Sequence, residues 1–265
     1  MAVTAAGTQL TEAHRLEQLA VRAAFLREFL DLWPTLDPIR LDATAQAWLN
    51  LVLSLVTRYR MESVNTAVAY YGAYRMAEVG APSPVEVAGD VLAAAGVAVR
   101  TSLAVTGPIN IKAKTARGMS PERAAKVALV EASGSAGRHV LNGGREALIE
   151  QVTLDELCIG YARVTRAGTC DFCAMLASRG FVYASEFRAT KSSGRRGKRK
   201  WGESFHDHCK CTAEPAYSRS TPLPETTAQY QAIWESSTVG KSGKAARVAF
   251  REALKANREL APQGA

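Results

Sequence analysis

Histidine is scarce in this chain, with four among 265 residues. That scarcity narrows the chemistry available. There is no H-E-x-x-H pair for a zinc protease and no G-x-S-x-G elbow for a serine hydrolase. A metal nuclease of the His-Asn-His class needs a general-base histidine and a further ligand downstream, yet no histidine follows His208. Gly240-Lys241-Ser242 has the end of a phosphate-binding loop, but Glu235 stands where the first glycine is required. His14 and His139 fall in helical stretches and read as surface or packing histidines. Long apolar runs are missing too. The longest, around Leu51–Val56 and Val91–Val99, are too short to span a bilayer. Met1–Thr8 has neither the basic start nor the apolar run of a secretion signal. Synthesis in the cytosol is expected, where thiols stay reduced.

Acid is also in short supply: 25 Asp and Glu stand against 33 Lys and Arg, for a net charge of +8. Such a balance favours a polyanionic partner, nucleic acid or an acidic protein surface. The deficit is sharpest in a loop carrying Arg188, Lys191, Arg195, Arg196, Lys198, Arg199 and Lys200 without any acid. Ser192, Ser193, Gly194 and Gly197 loosen it. One reading is a loop that contacts phosphates or an acidic surface; the other is a solvated loop kept in water by its charge. No sequence-specific reader is evident, so any DNA contact is expected to be non-specific and salt-sensitive.

Apolar residues make up 47% of the chain, enough for a real core. Residues 9–33 show helical periodicity, with Leu16, Leu19, Ala20, Ala23, Leu26, Phe29, Leu30 and Trp33 on one stripe. Trp33-Pro34 and Asp37-Pro38 end it. A long helix is expected over 41–79, and another from Ser83-Pro84 to about Val105. Ile109–Gly118 reads as an exposed connector. Ser120-Pro121 starts a helix that glycines are expected to interrupt near Gly134–Gly137 and at Gly143-Gly144. Tyr59, Tyr70, Tyr71 and Tyr74 read as core packing. Around Gly160–Thr165 the period becomes alternating, a strand signal. Cys170–Ser178 reads as a turn entering a short helix capped by Gly180, followed by a strand at Phe181–Tyr183. A linker at 218–227, a short helix at 227–236 and a basic helix at 244–260 complete the chain. The narrow apolar face of that last helix reads as a partner-docking face. The expected fold is mainly α: a helical region over 1–152, a small zinc-stapled α+β region over 153–217, and a linker with a basic C-terminal helix over 218–265.

Four of the five cysteines and two of the histidines crowd between Cys170 and Cys211. Cys170-x2-Cys173 can hold one ion from a tight turn, and His206-x2-Cys209-x-Cys211 supplies the rest of a tetrahedral N/S shell. Zinc suits that donor set. Cys170, Cys173 and His206 are the leading ligands, with either Cys209 or Cys211 completing the site. Disulfides are the competing reading outside a cell. Four protein ligands leave no open position for water, so the site reads as structural. His208 is a spare ligand, a neighbour of the ligands or an exposed side chain. Cys158 stands apart on an apolar stretch and reads as a buried thiol.

The run Cys-x-x-Cys-Ala-Met-Leu-Ala-Ser-Arg-Gly from Cys170, followed by Phe-His-Asp-His-Cys-Lys-Cys-Thr from Phe205, resembles the MuF-like minor capsid proteins, or phage head morphogenesis proteins, of actinobacterial tailed phages. Leu176, Gly180, the Gly160–Val164 stretch and Asn142-Gly143-Gly144-Arg145 add to the likeness, whose specific part covers about a quarter of the chain. The resemblance implies a non-enzymatic minor capsid protein inside the head near the portal, assisting assembly or DNA packaging and delivery. Portal, scaffold or major capsid protein would be its partner, with packaged DNA as a non-specific contact. Some relatives are labelled capsid maturation proteases, which is the alternative reading.

Overall fold

The structure is a computed structural model and describes residues 2–85, 96–165, 169–180, 207–218 and 223–260. Its frame is a set of long helices. α1 runs over Ala5–Leu32 and α2 over Leu41–Val79, antiparallel and joined through a short 3-10 turn at Trp33–Thr35. Thr4 caps α1, its hydroxyl accepting from Gly7 N at 2.9 Å. Glu78, at the far end of α2, accepts from Val3 N at 2.7 Å and from the Thr4 hydroxyl at 2.6 Å. The two helices are thus tied where one starts and the other ends. Gly80, at φ +76°, terminates α2 in the left-handed conformation glycine favours.

α3 covers Gly96–Ala104, a π-helical turn Val105–Ile109 follows, and α4 spans Asn110–Thr115. The expected exposed connector is therefore helical, and Ile111 within it is fully buried. Sequence weighed its three cations; packing of α4 against the next helix decided the outcome. Gly107 bends the chain there and lies against the Trp48 ring, which a Cβ would approach to 2.9 Å.

α5, Pro121–Leu154, starts on the Ser120 cap with Pro121 in its first turn. It runs unbroken through all four glycines that were expected to interrupt it. The reason lies in α2. A Cβ on Gly143 would sit 2.7 Å from the Arg60 carbonyl oxygen, and one on Gly144 2.5 Å from that of Ser63. The helices touch backbone to backbone, and this approach offsets the intrinsic cost of glycine in a helix. α1 joins the same crossing: Gln18 Nε2 donates to Ser63 O at 2.9 Å, and Gly144 N donates to Ser63 Oγ at 3.0 Å.

The first half of α1 faces inward with polar groups. Thr11, His14, Arg15 and Gln18 are buried, while Leu16 and Leu30 of the expected core stripe are half exposed. Hydrogen bonds to α2 engage Thr11 and Gln18 of that face, as between the Thr11 and Tyr70 hydroxyls at 2.8 Å, while Arg15 pairs with Glu12 of α1 itself. Farther along, Phe25 and Phe29 enter a core with Trp48, Val52, Val56, Tyr59 and Leu103.

A two-stranded antiparallel sheet pairs β1, Gly160–Val164, with β2, Thr212–Ala216, in register from Gly160↔Ala216 to Val164↔Thr212. β2 carries no alternating pattern and was not read from sequence; both of its faces are buried. The strand expected at Phe181–Tyr183 lies outside the described residues. α6, Asp171–Ala177, α7, Glu225–Ser237, and α8, Gly243–Leu260, complete the fold. The apolar face of α8 packs on α7 and α6 of its own chain through Phe250 and Leu254, with Phe250 5.4 Å from the Trp234 ring. It is not a free docking face. A second core gathers Tyr70, Tyr71, Tyr74, Leu148, Val152, Tyr161, Met175, Tyr230 and Phe250, drawing on both sides of position 152. The fold is mainly α with one small α+β region.

Candidate metal centre

α6 supplies the first half of the site. Cys170 is its N-cap, the thiol accepting from Cys173 N at 3.4 Å. Cys173 sits in the first turn with its side chain buried. β2 supplies the other half, because pairing with β1 brings Cys209-Lys210-Cys211, just before the strand, back over the start of α6. The sulfurs of Cys173 and Cys209 are 3.4 Å apart, and those of Cys173, Cys209 and Cys211 all lie within 4.8 Å of one another. A tetrahedral ion with sulfur bonds of about 2.3 Å sets its ligands about 3.8 Å apart. The three buried thiols fit that geometry and can hold a metal ion.

Both cysteines of the C-x-C pair are present in the group, where the sequence left a choice of one. Cys170 packs at its edge. His206 lies outside the described residues, as do all seven cations of the basic loop. His208 is exposed and stands outside the thiol group. It adopts φ +63°, and its ring presses on Gly134 of α5 so closely that a Cβ there would meet Nε2 at 2.3 Å. Asp207 beside it receives a hydrogen bond from Arg138 Nε at 2.7 Å. Cys158 is buried as expected, its thiol donating to Gly160 O.

Electrostatics divides the three thiols. Hydrogen bonds from Cys173 and Cys211, and the charge of Arg145, push Cys209 far below the usual thiol range. Sharing its proton with Cys209 pushes Cys173 the other way. Two buried arginines surround the group; both lie in stretches that carry the family resemblance, but the sequence singles out neither as a site residue. Arg145 of α5 donates from Nε to Cys211 O at 3.1 Å and from Nη2 to Cys209 O at 3.0 Å and Cys211 O at 2.9 Å. Arg163 of β1 directs Nη1 at the Cys173 and Cys209 sulfurs, 3.8 and 4.0 Å away. Burial draws Arg145 down to about 10, which leaves it charged at neutral pH. A signal existed for Arg145: it interrupts the apolar stripe Leu141, Leu148, Val152 at i+4 spacing.

The family model described as VG15 protein matches residues 6–237, from the first turns of α1 to the end of α7. The chain belongs to the VG15 protein family. That family is viral, and membership points to a phage structural or virion protein. The matched span includes the thiol group and every element that positions it. No curated protein and no solved structure matches this VG15-family chain. Among the described residues, no helix is long and apolar enough to cross a membrane.

Proposed function

We propose that this VG15-family chain is a non-enzymatic minor capsid protein of the MuF-like kind, held in the phage head near the portal, where it assists assembly or DNA packaging and delivery. The observation that carries the reading is the viral family match across a chain whose C-x2-C and C-x-C segments converge on one buried thiol group. In this reading the thiols hold a structural zinc. Cys173, Cys209 and Cys211 bind it, with Cys170 or His206 as the fourth ligand, and it staples a region too small to bury much apolar area alone.

Two of the four histidines, His14 and His139, favour a non-enzymatic role over the protease alternative. His14 stacks on Tyr70 with ring centroids 4.4 Å apart, and burial lowers it to about 4. His139, also lowered to about 4 by burial, has Nε2 facing an Arg138 nitrogen at 3.3 Å. Neither is poised as a general base near neutral pH. The outward face of α8 carries Lys244, Arg247, Arg251 and Lys255, all exposed, which suits contact with packaged DNA or an acidic face of portal, scaffold or major capsid protein.

Quantitative mass spectrometry of purified virions and proheads tests the proposal. The protein is expected in both, at low copy number relative to coat protein. Its absence from both particles would refute a capsid role. Cleavage of scaffold or coat by the purified chain, abolished by one substitution, would favour the protease.

A further inference from the structure

The thiol group rests on a support that reaches it from two other elements. A single guanidinium, that of Arg145, donates to the backbone carbonyls of both Cys209 and Cys211. It is itself anchored one turn earlier on α5, where Asn142 Oδ1 accepts from Nη1 at 3.0 Å. The fork geometry of arginine allows such bridging; a lysine has one nitrogen and cannot span the same acceptors in the same way. Fixing both carbonyls fixes the backbone on either side of Lys210. Cys209 and Cys211 are buried on either side of the exposed Lys210, so both sulfurs are then presented together to Cys173.

Charge points the same way. Three thiolates around a divalent ion carry a net −1, and a fourth thiolate makes it −2. Burying a net charge is costly unless it is compensated. Arg145 and Arg163 place two guanidiniums against this group, one on the backbone of the ligands and one at their sulfurs.

We infer that Arg145 and Arg163 are the positioning pair of the metal centre: Arg145 locks the C-x-C segment so that Cys209 and Cys211 bind together, and Arg163 offsets the charge of the sulfurs. The inference rests on the metal-centre reading above. It assigns to α5 the work of aligning the ligands on the segment that leads into β2.

The test uses the full-length protein as wild type, Arg145→Met, Arg145→Lys and Arg163→Gln, each prepared metal-free under reducing conditions. Zn²⁺ affinity is measured by competition with a chromophoric chelator, and Co²⁺ spectra report thiolate ligation. Wild type is expected to bind one ion. Arg145→Met should bind about 10- to 100-fold more weakly, the range found when groups that orient metal ligands are lost. Its Co²⁺ complex should show weaker thiolate-to-metal charge transfer per bound ion. Arg145→Lys, which retains the buried charge, guards against a folding failure and should weaken binding less, while Arg163→Gln should lower affinity with the ligand set kept. Wild-type protein that binds neither ion would remove the metal centre itself. Normal wild-type binding, with affinity and spectra unchanged in both Arg145 variants, would leave the metal centre standing and overturn the positioning role. So would a loss of thermal stability in the metal-free variants with no change in affinity.

Discussion

His14 shows how one residue couples packing to pH. It lies against Tyr70 in the polar face of α1, and no described residue bonds its Nδ1. Burial lowers it from an ordinary value of 6.5 to about 4, and His139 shifts equally. The unfolded chain therefore takes up these protons first as the solution is acidified. Their contribution to stability is complete above about pH 6.5, is lost progressively below it, and stops changing below about pH 4. At pH 4.5 each should have cost about 2 to 3 kcal/mol. Urea denaturation of wild type and His14→Phe at pH 7.5 and 4.5 checks this: the variant should lose clearly less stability between the two. Equal losses would mean that His14 titrates normally in the fold. From sequence this histidine was a surface or packing group; only its place opposite Tyr70 on α2 made it the second.

At the scale of elements, α5 turns a helix-weakening residue into a contact. Glycine is read as a break because it gives up the most backbone freedom on folding. That reasoning holds for an isolated helix and failed here because α2 approaches within reach of the Gly143 and Gly144 backbone. The same substitution should consequently have opposite effects at two helical sites. Gly144→Ala forces a Cβ onto the Ser63 carbonyl and should destabilise by about 1 to 3 kcal/mol, the range for overpacking. Gly72→Ala in α2 meets nothing within 4 Å and should stabilise by about 0.5 to 1 kcal/mol. Thermal melts of the two variants decide it, and a stabilised Gly144→Ala would show that the helices can separate freely. α8 teaches a related lesson. Its periodicity revealed an apolar face, but whether α7 or another molecule covers such a face is not encoded in the periodicity itself.

The whole molecule hangs on two cores linked by the same pair of helices, α2 and α5. The first core is built from long helices and needs no metal. The thiol group is tied to α5 through Arg145, and β2 to α2 through the Tyr74 hydroxyl, which donates to Pro215 O at 3.0 Å. The buried pair of Arg75 with Asp155, joined at 2.7 Å, ties α2 to the end of α5. Asp155 is held below its usual value: burial opposes its ionisation, and hydrogen bonds from Arg75 and Tyr71 outweigh that. Cys173→Ser should abolish stoichiometric zinc and speed amide exchange across described residues of 158–217, while protection in the middle of α2 and α5 persists. Hydrogen exchange resolves the two regions. Uniform loss of protection would show that the centre supports the entire fold.

Sequence alone determined α1 and α2 with the proline and glycine that end them, the start of α5 on Ser120-Pro121, the burial of the tyrosines and a cysteine pattern that suits a metal. These are local properties: periodicity, capping and ligand spacing lie within a few residues of one another. Tertiary structure decided what depends on distant partners. It kept α5 whole against its glycines, turned the polar face of α1 inward, and paired β2 with β1. It also brought Cys209 and Cys211 together onto Cys173, and set two arginines around them. Each of those outcomes depends on a neighbour that is far along the chain and close in space, and no local pattern carries that distance.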